Sequence, residues 1–497
     1  MYWANFLHIY QPANQRKDVL EAVIAQCYRP ILKHIQKSKH VRLTLNINAS
    51  LVEQFHEHGH DDLIEILKEV GSEGRIEFTS SAKFHAFLPL LPKEEVIRQI
   101  KMNDETNRHY LGDAYKPVGF FSPEMGYSQE LPGIVESLGY KWMILDEISA
   151  FGEPEKVDHT KIYKIKDTNV NAFFRERRIS NLIMSAVVRS PETLKDAMKE
   201  DLKSDRYLIT AMDGETFGHH RPGLEKMLFK IFETPEFNLV TISELYKHYN
   251  NVVEITPVKS TWASSKQDID RGIQFLSWND PSNIIHTWQW ELIHLVEKAV
   301  NDHGSMSPKD DEARKKMDRA LASDHLWWAS AKPWWSVEMI EDGAFRLLDT
   351  IRSFPNISNE DLIKASKLYE NIVSTAFEWQ RSGKIYQMMQ EQNSILRIPF
   401  LERTVGKGGE EVGVYHAIVS LMKGLEEKAI EKREYEKAIL WRDAIYKLEN
   451  KLDIYDTVNA IDLMRTEIPN AEVEEVIEQY KNKYREIRGG QVEQRGS

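Results

Sequence analysis

Over its first 250 residues the chain alternates short apolar runs with amphipathic stretches, and most of the apolar runs empty into a polar residue able to do chemistry. Tyr2–Leu7 reads as a strand ending in His8, Gln11 and Pro12. Arg42–Ile47 ends near Asn48, Arg75–Ser80 leads to His85, Pro117–Ser122 runs into Glu124, Trp142–Leu145 ends in Asp146 and Glu147, and Tyr207–Met212 ends in Asp213. Between them, Lys17–Gln36 (broken near Pro30), Leu63–Val70, Glu94–Tyr110 and Leu131–Leu138 carry helical patterns. Strand and helix in strict alternation predict a parallel sheet, closed as a barrel or left open. Barrels of this class build their sites on the rim at the carboxyl ends of the strands, where these polar residues fall. After Thr241–Tyr249 the alternation stops. Val252–Ser265 reads as an irregular connection, and from His286 onward the pattern is helical almost to the end.

With 497 residues, 41% of them hydrophobic, the chain has enough apolar surface for a large core and more than one domain. The formal charge of −12, with no long basic run, argues against nucleic acid as a partner, and no apolar run approaches the roughly 20 residues of a membrane span. Cys27 is the only cysteine, which excludes an intrachain disulfide and fits a reducing compartment. Met1–Leu7 is too short for a signal sequence, so the expected location is cytoplasmic. Twelve tryptophans and nineteen tyrosines supply flat faces of the kind that sugar clefts use, although most belong in a core.

Two carboxylates stand out. Glu124 follows Gly119-Phe120-Phe121-Ser122-Pro123 at one strand mouth, and Asp213 sits at another within AMDGETFGHH, Ala211–His220, where Glu215, His219 and His220 add further proton-handling groups. Two carboxyls facing one another across a cleft are the minimum apparatus for cutting a glycosidic bond, one attacking or steadying the anomeric carbon and the other protonating the leaving oxygen.

These residues resemble glycoside hydrolase family 57. FLHIYQP at Phe6–Pro12 looks like its first motif, GRIEFTSSAKFHAFLPLLP at Gly74–Pro92 its second and GFFSPEMGYSQELPGIVESLGYKWMILDE at Gly119–Glu147 its third. AMDGETFGHH is similar to its fourth, and ASDHLWWASAKPWW at Ala322–Trp335 looks like its fifth. The resemblance covers about Met1–Ala344 and implies an α/β fold: an incomplete seven-stranded (β/α) barrel followed by an all-helical C-terminal domain. It implies that Glu124 is the nucleophile and Asp213 the general acid/base of a retaining mechanism on α-1,4-glucans, α-amylase-like, with 4-α-glucanotransferase and branching activity as alternatives. His8, Gln11, His85 and Trp328 would contact the sugar, without cofactor or bound metal. One departure is Tyr10, where many members carry a histidine before Gln-Pro.

The expected division is a catalytic barrel over residues 1–260, a cleft-closing helical domain over 261–410, a helical hairpin within 411–488 and a disordered tail over 489–497. The hairpin, Lys428–Lys451, is charged on one face and apolar at Ile430, Tyr435, Ala438, Ile439, Trp441, Ala444, Ile445 and Leu448, with a turn at Lys432–Glu434. It resembles the UVR motif, a hairpin used for protein contacts, and so marks a surface for a protein partner or self-association. Three other readings compete. His56-Glu57-His58-Gly59-His60 has the residue types of a metal cluster, but alternating histidines on an irregular loop read as solvated. A metal-dependent deacetylase would want an Asp with two histidines at helical spacing, which Asp213, His219 and His220 match only loosely. A non-catalytic glucan-binding scaffold is the third, and retention of both carboxylates speaks against it. Of Trp327, Trp328, Trp334 and Trp335, paired at helical spacing, most read as interface core and one as a sugar contact.

Overall fold

Barrel strands face helices on one side and the barrel interior on the other, so both faces leave water, and the central strands here do so: β1 (Tyr2–Ile9), β2 (Leu43–Ile47) and β5 (Trp142–Asp146) are buried along almost their whole length. The computed structural model describes residues 1–184, 188, 190–303, 308–332, 334–354, 356–388 and 413–450, together with 464, 467–468, 472–473 and 475–483. Its sheet also contains β3 (Ile76–Ser80), β4 (Gly119–Phe121), β6 (Ile162–Ile165), β7 (Asn171–Arg175), β8 (Tyr207–Asp213), β9 (Asn238–Val240) and β10 (Val252–Ile255). In spatial order these run β10-β6-β7-β5-β4-β3-β2-β1-β8, with β9 beside the start of β1.

The consecutive stretch from β7 to β8 is parallel throughout and makes the seven-stranded barrel. Its seam lies between β7 and β8. No ladder zips that seam among the described residues. Two bonds span it instead: the Glu176 N–H donates to the Ile209 carbonyl at 2.9 Å, and Arg175 Nε donates to the Ala211 carbonyl at 2.7 Å. This is the incomplete barrel expected from the sequence, followed by helices Ile284–His303, Pro308–Ala320, Asp324–Trp328, Val337–Ser353 and Asn359–Ser382.

Two compact units divide the chain. The first comprises Met1–Asn181, Met198–Gly214 and Phe232–Met389, and the second Leu182–Ala197, Glu215–Ile231 and Gln390–Ser497. In the first, one continuous core runs from Phe120 and Met143 in the barrel through Trp278 and Ile293 to Leu326 and Leu347 in the helices. In the second, helices Val414–Glu431 and Tyr435–Asn450 form the hairpin, joined across Lys432–Glu434 with Arg433 in a left-handed conformation. Trp441 is fully buried there against a core that includes Met422, Ile445 and Leu448. Lys451, at the end of the hairpin read from sequence, and the tail over 489–497 lie outside the described residues.

Several local expectations are corrected. Pro30 does not break its helix: it sits in the first turn of Arg29–Lys37, where a missing N–H costs little, and a wider π turn at Ile24–Tyr28 absorbs the change. Val252–Ser265 is not wholly irregular, since β10 occupies its start beside β6. His56 belongs to the helix Ala49–Glu57 rather than to a loop, and pairs with Asp61 at 2.7 Å, whereas His60 lies beside Glu21 and Arg29.

Candidate active site

Two glycines let neighbouring strands pack closely around the site, Gly119 at the start of β4 and Gly214 just past the end of β8. A Cβ on Gly119 would fall 2.1 Å from the Trp142 ring, and one on Gly214 would fall 2.5 Å from the Ile9 side chain. Beyond β4 the chain turns sharply, placing Glu124 and Met125 in left-handed conformations (φ 61° and 49°) that cost non-glycine residues energy and persist only when surrounding contacts enforce them. Trp262 provides that enforcement. Its backbone N–H donates to the Glu124 carbonyl at 3.2 Å, and its indole Nε1 donates to Glu124 Oε2 at 2.8 Å. Trp262 is itself anchored: Arg177 donates to its carbonyl at 3.1 Å and to Asp146 at the end of β5 at 2.5 Å.

His85 is held in the same manner. It too is left-handed, at φ 56°, and Ser323 grips it twice, its N–H donating to the His85 carbonyl at 3.1 Å and its hydroxyl lying 3.0 Å from Nδ1. His85 Nε2 meets His8 Nε2 at 3.1 Å, and His8 Nδ1 meets Asn46 Oδ1 at 2.7 Å. Asn46 Oδ1 can only accept, so His8 Nδ1 donates to it; with both rings neutral, His85 Nε2 donates to His8 Nε2 and Ser323 donates to His85 Nδ1. This set of bonds needs neither of the two rings charged. Their pKa directions agree: removal from water lowers His8 to about 4 and His85 well below its ordinary value.

His8 on β1 and Asp213 on β8 are register partners, which brings Asp213 onto the same rim. Removal from water pushes Asp213 up to about 6, against the pull of Arg175. Glu124 rises further, to about 8, first through loss of water and then through the negative charge of Asp213, with Asp324 adding to it and the Trp262 bond opposing. Glu124 Oε1 also faces His85 Nδ1 at 4.0 Å. Glu124, lifted by burial and by the charge of Asp213, retains a proton near neutrality, and both carboxyls keep partial exposure, so a ligand can reach them.

A third carboxyl belongs to this group. Asp324, raised to about 6 by loss of water, accepts from the Tyr10 hydroxyl at 2.8 Å, and the Tyr10 ring stacks on His85 at 4.2 Å. Trp328 lies one turn along from Asp324 in the helix Asp324–Trp328 and packs against Trp327 and Trp334. Gln11 is at the exit of β1, but its side-chain amide is taken up by Tyr28 and Gln15. Thus His8, His85, Glu124 and Asp213 come together, while Gln11 and Trp328 flank them. Glu215, His219 and His220 fall in the second unit, where the His220 N–H returns to the Glu215 carbonyl at 2.8 Å.

Sequence reasoning did not single out Trp262, Asn46, Ser323, Arg175 or Asp324. Asp324 and Ser323 lie within the fifth motif-like stretch, where the tryptophans drew attention. Asn46, like Thr44, alternates with the leucines and isoleucine of β2 as a fully buried polar residue. Asn48, at the end of β2, donates its side-chain amide to the Ala82 carbonyl. Among the described residues no group of three or more His, Cys, Asp or Glu side chains is placed to hold a metal ion.

Known proteins share this fold to differing extents. Alpha-amylase 1 of Dictyoglomus thermophilum is 24% identical over 266 residues, 51% of this chain but only 38% of that protein's length. The crystal structure of 4-alpha-glucanotransferase from Thermococcus litoralis superposes with a TM-score of 0.57 at 19% identity, covering 71% of this chain and 58% of that one. A branching enzyme from Thermococcus kodakaraensis, solved with glucose and additives, superposes with a TM-score of 0.56 at 15% identity, covering 76% and 96% of the respective chains. At such identities the superpositions speak for the fold alone. Residues 3–258, just over half of the sequence and the whole run from β1 to β10, match the family described as glycosyl hydrolase family 57, and the chain belongs to that family.

Proposed function

We propose that the protein is a retaining glycoside hydrolase or transglycosylase acting on α-1,4-glucans through a covalent glycosyl-enzyme, with Glu124 as nucleophile and Asp213 as general acid/base. The observation that carries this reading is the electrostatic coupling of Glu124 and Asp213 in one enclosed site, with Glu124 aimed by two hydrogen bonds from Trp262. A Glu124 oxygen bonds to the anomeric carbon as the glycosidic C–O bond breaks, and Asp213 gives its proton to the departing oxygen. The Asp213 carboxylate then takes a proton from water or from a sugar hydroxyl, whose oxygen displaces Glu124 and restores the starting configuration. A retaining mechanism calls for carboxyls roughly 5–5.5 Å apart.

Water as acceptor makes the enzyme amylase-like, and a sugar hydroxyl makes it a 4-α-glucanotransferase or branching enzyme. Names of both kinds occur among the relatives, with an amylase and a glucanotransferase each matched over part of their length. Incubation with maltoheptaose and, separately, with amylose decides between them. New reducing ends mark hydrolysis, a ladder of longer and shorter products without them marks transfer, and a changed iodine colour with new branch points marks branching. No change with either glucan overturns the proposal. The hairpin, which leaves Tyr435, Ile439 and Tyr446 exposed, is assigned to contact with a protein partner or a second copy.

A further inference from the structure

Beside the catalytic group, against Tyr10 and Asp324, lies a partly open hollow in the first unit. Pro12, Ala13 and Asn14 line it from the loop after β1, Phe84 from the loop after β3, and Arg319, Asp342 and Arg346 from the helices. Tyr10 and Asp324 are its shared wall: both line the hollow, while the Tyr10 ring stacks on His85 and Asp324 acts electrostatically on Glu124.

The wall chemistry suits a neutral polyhydroxy ligand. Two cations, Arg319 and Arg346, face two carboxylates, Asp324 and Asp342, so the site offers both donors and acceptors without net charge. Arg346 donates to both Asp342 oxygens, at 2.7 and 3.1 Å, and the Asn14 amide adds a third bond to Asp342 at 3.0 Å, which fixes these groups before a ligand arrives. Arg319 is different. Its guanidinium lies 5.9 Å from the centre of the Phe84 ring and makes no hydrogen bond among the described residues, so its N–H groups are available. An anionic ligand would meet the two carboxylates, and an apolar one would strip water from four charged groups. A sugar ring can use the donors, the acceptors and the edge of Phe84 together.

We infer that this hollow is a glucosyl-binding subsite, occupied by a unit of the same chain that is cut between Glu124 and Asp213, and that it makes the enzyme favour long substrates over short ones. The inference rests on the proposed glucan activity and deepens it. Its test is the ratio of kcat/KM for maltoheptaose to that for an aryl α-glucoside, which has too few units to span both places. In Arg319→Ala the ratio should fall about tenfold, the scale of one lost charge-assisted hydrogen bond. Arg319 is exposed, so the variant should fold, and an unchanged melting temperature confirms it. Asp342→Ala, which also frees Arg346 and Asn14, should lower the ratio at least as far. A ratio within twofold of the parent in both variants overturns the subsite while leaving the activity intact. Should the parent cleave neither substrate, the activity itself fails, and calorimetry decides the subsite alone. Maltoheptaose binding to Glu124→Gln that weakens about tenfold on adding Arg319→Ala sustains it, and absence of binding, or binding indifferent to Arg319, overturns it.

Discussion

The indole of Trp262 donates to Oε2 of Glu124 at 2.8 Å while the Trp262 backbone N–H holds the Glu124 carbonyl, so one residue fixes both the side chain and the strained backbone of the proposed nucleophile. A donor on a carboxylate stabilises its ionised form. Trp262→Phe keeps the ring and the backbone bond but removes that donor, so Glu124 should rise further above its ordinary value. The alkaline limb of the kcat/KM profile, where Glu124 gives up its proton, should move to higher pH, and kcat should fall on the order of tenfold to a hundredfold as the form with Glu124 ionised becomes rarer. Loss of activity with an unmoved alkaline limb would mean that Trp262 acts by packing alone.

The site's own titration gives a second prediction. The proposed chemistry needs one proton shared by Glu124 and Asp213, which sit at about 8 and about 6. Below about pH 6 both are protonated and no nucleophile remains, whereas above about pH 8 both are ionised and no acid remains. The profile of kcat/KM should therefore be bell-shaped with its top near pH 7. In the empty site the stronger lift falls on Glu124, so the productive form, with the proton on Asp213, is the minor tautomer of the same one-proton state. The limbs keep their positions, because they belong to the pair. An activity still rising at pH 9 would show that no protonated carboxyl takes part.

What could be read without the structure was the barrel and its rim, because central strands such as Tyr2–Ile9 and Trp142–Asp146 are apolar at successive positions and end abruptly in polar residues. The short β6 and β7 were not legible. Ile162–Ile165 and Asn171–Arg175 carry Lys164, Asn171 and Arg175, and β6 pairs antiparallel with β7 as an extension beside the barrel, so neither shows an uninterrupted apolar run. Within the site, residues at strand mouths were found, whereas Trp262, Ser323 and Asp324 come from segments outside the strand–helix alternation. Their proximity to Glu124 and His85 is set by tertiary packing, which periodicity does not carry. Tyr10 was noticed as a departure from a pattern, but its partner Asp324 lies 314 residues away.

That long-range pair makes the third prediction. The Tyr10 hydroxyl stabilises the Asp324 anion, and the Asp324 charge in turn lifts Glu124. In Tyr10→Phe the stacking on His85 persists but Asp324 loses its donor and rises, holding its proton to higher pH. With that negative charge neutralised across more of the working range, Glu124 is lifted less, and the alkaline limb of the profile should shift downward by a fraction of a unit to about one unit. The pH profile of the variant against the parent measures this. A lower kcat with the alkaline limb in place would assign Tyr10 to packing against His85 only.

The role assignment of the two carboxylates yields the fourth. If Glu124 forms the glycosyl-enzyme, Glu124→Gln should lose essentially all turnover of every glucan, because the neutral amide cannot attack the anomeric carbon. Asp213→Asn should behave differently. An aryl α-glucoside or α-maltoside carries a leaving group that departs without protonation, so the variant should still release one equivalent of phenol in a burst and then stall, for want of a base to activate water. Azide needs no such base. It should release the stalled intermediate as a glycosyl azide of retained α configuration, restoring turnover in proportion to its concentration. A burst in Glu124→Gln rescued by azide, with none in Asp213→Asn, would exchange the two roles. A β-configured azide product from Asp213→Asn would mean direct displacement on the substrate, with no covalent intermediate on Glu124.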